Sequence, residues 1–115
     1  MATVRIMYWK EIPAQIQASD KKTTLSRPLP ERFQEGIDAL AMLDGSQGTD
    51  EYLMAWEWGD EIEVRGTAEE AALVWAERID AHFPQDFVLR IRRLDELGKR
   101  DPRPGALDDW MAGES

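Results

Sequence analysis

The chain has 115 residues, 43% hydrophobic and 32% charged, with 23 acidic against 14 basic residues and a net charge of −9. That length fits one domain with one core, and the composition is globular rather than disordered. The absence of cysteine excludes disulfides, thiolate metal sites, iron–sulfur clusters and cysteine nucleophiles. The acidic balance disfavours nucleic acid and anionic membrane surfaces as partners.

The N-terminal residues lack a basic segment followed by a long apolar run, so no signal peptide is expected. No stretch has the roughly 18 apolar residues of a membrane span. A cytoplasmic protein is the expectation.

Val4, Ile6 and Tyr8 alternate on one face of a predicted strand, while Met7 and Trp9 make the other face partly apolar. A strand with two apolar faces is central or covered on both sides. After a break at Lys10-Glu11-Ile12-Pro13, Ala14, Ile16 and Ala18 alternate with Gln15, Gln17 and Ser19. These two strands predict an N-terminal hairpin with a four-residue connection. Asp20 to Leu29 is either a loop or a frayed continuation of the hairpin. Pro30 suits a helix start, and Phe33, Ile37, Leu40 and Ala41 recur at helical spacing with one face inward. Gly45-Ser46-Gln47-Gly48 ends that helix and reads as a linker.

Thr49 is placed to cap a short helix carrying Tyr52, Leu53 and Trp56, with Gly59 as its stop. Glu61 to Arg65 alternates, Ile62 and Val64 inward, as a half-exposed strand whose charges guard an edge. Thr67-Ala68-Glu69-Glu70 has the pattern of a capping box. The helix it opens is expected to bury Ala71, Val74, Trp75, Ile79 and His82 or Phe83, with Pro84 at its exit. Phe87, Leu89 and Ile91 suggest a last strand, with a helix through Leu94 and Leu97 as the competing reading. The fold class predicted is α+β: a two-layer sandwich, order β-β-α-α-β-α-β, with a mostly antiparallel sheet and two to three helices on one face. Residues 1–97 form the domain, and residues 98–115 an acidic tail expected to be mobile.

Chemistry-bearing patterns are few. The one histidine, His82, closes a helix, where a cation complements the dipole. Gly45 to Gly48 lacks the lysine and the strand-to-helix setting of a phosphate loop. Nucleophile-elbow and calcium-loop patterns are absent. Six carboxylates, from Asp50 to Glu63, lie beside turns or on the outward side of a strand, so a solvated face explains them. No catalytic residue, metal ligand or cofactor is assigned.

The five tryptophans are the least ordinary feature. Large rings anchor cores, yet Trp56 and Trp58 stand two apart, and a helix cannot turn both the same way. At least one is therefore expected near the surface, where rings suit a protein interface or a cationic ligand. Trp110, in the acidic segment Leu107 to Met111, either docks or belongs to a disordered tail.

Tyr8-Trp9-Lys10-Glu11-Ile12-Pro13-Ala14-Gln15-Ile16, Leu29-Pro30-Glu31-Arg32-Phe33-Gln34-Glu35-Gly36-Ile37-Asp38 and Gly48-Thr49-Asp50-Glu51-Tyr52-Leu53-Met54-Ala55-Trp56 resemble a small bacterial family labelled "virulence factor", over roughly residues 3 to 82. The label records a phenotype of some relatives rather than a reaction. A similar region lies within longer proteins containing helical repeats, so the resemblance implies an accessory or interaction module. It also implies an association with corrinoid and folate methyl-transfer enzymes.

Two functions are therefore expected in order. The first is a non-catalytic domain binding a protein partner through Trp9, Tyr52, Trp56 and Trp58, with Gln15 and Arg32 near them. The second is a small-molecule-binding or enzymatic component of one-carbon methyl transfer, with Asp50, Asp60 and Glu61 around a pocket. A self-associating structural domain is a third; the oligomeric state stays open.

Overall fold

A computed structural model describes residues 1–107 of the chain. In order it contains β1 (Ala2–Trp9), β2 (Ile12–Ser19), β3 (Thr24–Pro28), α1 (Glu31–Leu43), α2 (Asp50–Met54), β4 (Trp56–Trp58), β5 (Ile62–Val64), α3 (Ala68–His82) and α4 (Phe87–Glu96). The architecture is α+β, as predicted, built on a five-stranded antiparallel sheet with the N-terminal hairpin at its centre.

The hairpin forms because its apolar residues keep a period of two: Val4 pairs with Ala18 and Ile6 with Ile16, and all four are buried. Its connection is shorter than expected, only Lys10 and Glu11, with Lys10 held at φ 51°. Ile12 and Pro13 belong to β2 instead. Pro13 is tolerated there because the register slips beside it: Met7 faces Gln15 while Tyr8 faces Pro13, leaving Ala14 as a bulge. The freed carbonyl of Ala14 accepts the N–H of Leu29, which fixes the chain where β3 hands over to α1.

Both β4 and β5 pair with β1, at its two ends. They are one edge strand with an interruption. Met7 faces Trp58 and Val4 faces Ile62, so the register moves by one residue between them. Gly59 donates to the Ile6 carbonyl at 2.8 Å within that interruption. A Cβ on Gly59 would lie 2.8 Å from Tyr8 Cε2, so only glycine fits.

Helix α3 lies across β1, β2 and β3, and α1 against β2 and α4. The capping box of α3 is present in full, Thr67 and Glu70 each satisfying the other's backbone N–H. Asp20, in the β2–β3 turn, adds a carboxylate on the N–H of Ala68. That bond and the N–H groups of Lys22 and Thr23 hold its carboxyl below the usual pKa. The buried stripe of α3 is Ala68, Ala71, Ala72, Ala76 and Ile79. This corrects the predicted stripe: Val74 is 58% exposed and Trp75 half-buried, because the sheet takes small residues at close approach. Phe83 is buried at the helix exit.

Thr24–Pro28 is a strand paired with β2, so of the two readings of that stretch the continuation of the hairpin holds. Three further assignments differ from expectation. Helix α2 stops at Met54, so Trp56 belongs to a strand with Trp58. Phe87–Glu96 is the helical alternative rather than a strand. Phe87 stacks on Phe33 and fills the space over Gly36, where a Cβ would meet Phe87 Cζ at 2.5 Å. Finally, Ser46 is fully buried rather than part of a plain linker, and its hydroxyl donates to Asp44 at 2.6 Å. Among the described residues no helix is long and apolar enough to cross a membrane. Trp110 lies outside the described residues.

Candidate functional site: the ring-bearing sheet face

Pleating sends alternate side chains of β1 and β2 to opposite faces. Val4, Ile6, Ile16 and Ala18 point into the core, so Arg5, Met7, Gln15 and Gln17 point the other way and are half-buried. Trp58 is opposite Met7 and Trp56 opposite Trp9 across β4, so both rings join this second face. The expectation that the two tryptophans diverge fails because a period of two, unlike a helical turn, places them side by side. Both remain half-buried.

Specific contacts order this face. Arg5 donates through Nε to Gln17 Oε1 at 2.8 Å, and its guanidinium carbon sits 4.1 Å from the Trp58 ring centroid. Next to it, Met7, Ala14, Gln15, Pro28, Leu29, Gln34 and Trp56 line a cleft of about 320 Å³. Trp56 continues into a row of rings: edge-to-face with Tyr52 at 6.3 Å, and Tyr52 tilted on Trp9 at 5.5 Å. Trp9 is fully buried, and its indole N–H donates to the Tyr52 carbonyl at 3.0 Å. Trp9 thus anchors the row from inside.

Five of the six residues singled out from the sequence therefore belong to one neighbourhood: Trp9 as its buried base, Tyr52 and Trp56 as its row, Gln15 and Trp58 on its open side. Arg32 is elsewhere. Its guanidinium binds Asp80 and the carbonyls of Asp80, Phe83 and Pro84, and closes the C-terminus of α3. Arg5, Met7 and Gln17 belong to the face and were not singled out; the alternation that put Val4 and Ile6 inward was the signal for them.

Behind the row lies a polar knot. Glu11, 1% exposed, receives two hydrogen bonds from Arg100, Nε to Oε2 at 2.7 Å and Nη2 to Oε1 at 2.9 Å. Arg100 also reaches Asp44 at 3.5 Å, and Lys10 binds Asp44 at 2.7 Å and Glu51 at 3.3 Å. Burial alone would raise the Asp44 pKa; hydrogen bonds from Lys10 and Ser46 outweigh it and hold it low. The hydrogen bonds to Glu11 raise the Arg100 pKa above its ordinary value. No signal within either segment marks a pair 89 positions apart.

Asp50, Asp60 and Glu61 are all exposed. Among the described residues no group of three or more histidine or carboxylate side chains could hold a metal ion. His82 is half-buried, and its Nδ1 has no hydrogen-bond partner in the described chain.

An antiparallel sheet with α3 lying across it, and an ordered row of rings from β1, α2 and β4, defines the class: a small α+β domain with a ring-bearing sheet face. The chain belongs to the virulence factor family, whose pattern matches residues 7–94. The match runs further than the stretch to residue 82 that the sequence motifs suggested, and takes in most of α4. No curated protein and no solved structure matches the chain.

Proposed function

We propose that this protein is a non-catalytic accessory domain that binds a protein partner over the sheet face carrying Trp56 and Trp58. One observation carries the reading: two half-buried tryptophans side by side on one face, one of them under Arg5 at 4.1 Å. Tryptophan and arginine are the residues that most often dominate binding energy at protein interfaces. Held by a hydrogen bond and a ring contact, Arg5 loses little further freedom on binding. A cytoplasmic setting in a bacterium accompanies this proposal.

The one-carbon alternative calls for Asp50, Asp60 and Glu61 around a pocket. Their exposure gives it no support, and the interaction reading stands ahead of it.

The test places a photo-crosslinking residue at Gln17 in the full chain and maps cross-linked peptides by mass spectrometry in native extract. A single partner whose cross-links vanish in a folded Trp58→Ala variant is the expected result. Equal labelling of both proteins overturns the assignment of this face. Capture of small molecules alone favours the one-carbon reading.

A further inference from the structure

We infer that Glu11 and Asp44 form a socket for an arginine side chain, filled here in cis by Arg100 and able to accept an arginine from a basic segment of a protein partner. This rests on the polar knot and not on the ring-bearing face.

Glu11 is 1% exposed, so its ionised carboxylate needs a buried cation with matching geometry. Two nearly parallel bonds, at 2.7 and 2.9 Å, fit a planar guanidinium fork, which a lysine ammonium cannot reproduce. Lys10 is already engaged by Asp44 and Glu51. The socket is therefore specific to arginine, not to positive charge in general.

The occupant sits on a segment whose described backbone N–H groups make only local bonds. Past Gly98, the described backbone N–H groups that are bonded, those of Lys99, Arg103 and Ala106, bond to Leu94, Asp101 and Arg103, all nearby in sequence. Arg103 spends its own guanidinium on Asp101, two residues away. Anchorage to the domain comes from the Arg100 side chain, from buried Leu107 and from Pro102 and Pro104, which line a cleft with Lys10, Met54 and Ala55. Such a strap can detach without breaking a ladder of hydrogen bonds.

The socket and its occupant also fall on different sides of the family boundary. Residues 7–94 contain Lys10, Glu11 and Asp44 but not Arg100. A net charge of −9 draws a basic segment to the domain in the first place.

The test uses full-length Arg100→Ala and three probes. These are methylguanidinium, methylammonium at equal ionic strength, and a synthetic peptide of residues 98–107 made with Arg100 or with lysine in its place. Expected first is a melting temperature lowered by about 10 °C or more. Millimolar methylguanidinium should then restore part of it saturably, with methylammonium inert. The arginine peptide should bind the variant at least tenfold tighter than it binds the wild-type chain, whose socket is full, and tenfold tighter than the lysine peptide does. Glu11→Gln added to Arg100→Ala should abolish both responses. If Arg100→Ala fails to fold, the same titrations run on Arg100→Lys, which keeps the charge and leaves the fork unfilled. Equal responses to methylammonium, responses that survive Glu11→Gln, or equal peptide binding to variant and wild type would each overturn the socket. A wild-type dimer formed by exchanged straps, and lost in Arg100→Lys, overturns the partner as the source and makes it a second copy.

Discussion

The two faces of the sheet use the same strands for different ends. On the helix-covered face Val4, Ile16 and Ala18 are fully buried and Ile6 is 5% exposed, under an α3 stripe made mostly of alanine. On the opposite face Arg5, Gln15, Gln17, Trp56 and Trp58 are half-buried; Arg5 links Gln17 to Trp58, and Trp56 rests on Tyr52. Covered positions are fixed by packing, where shape decides. The half-buried positions are looser: Trp56 still packs against the core at its edge, while Trp58 lies under Arg5.

The sharpest way to expose this asymmetry is to truncate one residue on each side. Ile16→Ala should cost about 2–5 kcal/mol, read as a drop in the urea midpoint at constant slope. Gly36→Ala tests the second layer of the covered side: the new Cβ collides with Phe87, and a loss of about 1–3 kcal/mol is expected by the same measurement. Trp58→Ala should cost about 1 kcal/mol or less, since the ring gives up a cation–π contact and partial burial only. A loss as large as that of Ile16→Ala would break the comparison and make the open face part of the core.

Acid sharpens it differently. Asp44 and Asp20 titrate below their unfolded value of about 3.9 when the chain is folded. Their contribution is fully present above about pH 4 and is lost as pH falls through the lowered values. Urea midpoints between pH 6 and pH 2.5 should therefore decline only at the acid end. Asp44→Asn should start lower and decline less. The ring-bearing face has no part in this decline, so Trp58→Ala should follow the wild-type pH profile.

Much of the covered side was legible in the sequence, because burial leaves a periodic trace. The β1–β2 alternation, the inward face of α1 and the capping box of α3 all have one. The phase of α3 was misread since Val74 and Trp75 are more apolar than the alanines that pack, and only the nearness of the sheet selects small residues. Phe87 to Ile91 fits either period; the space over Gly36, supplied by α1, selects the helix. Thr24–Pro28 leaves almost no trace, being largely exposed along its length. Of the site, the rings were visible by composition and their side-by-side placement was not, because three residues are too few to reveal a period. The Glu11–Arg100 pair has only tertiary structure to announce it.

The interruption between β4 and β5 has a further consequence at high concentration. An uninterrupted edge strand offers a row of unpaired amides and carbonyls on which another chain can grow a ladder. Here that row is cut after three residues, shifted by one at Gly59, and flanked by exposed Glu57, Asp60, Glu61 and Glu63. An incoming strand finds no straight run long enough to register, and meets like charges on an acidic molecule if it tries. The same glycine that lets the chain pass close to Tyr8 makes this edge a poor template for fibrils.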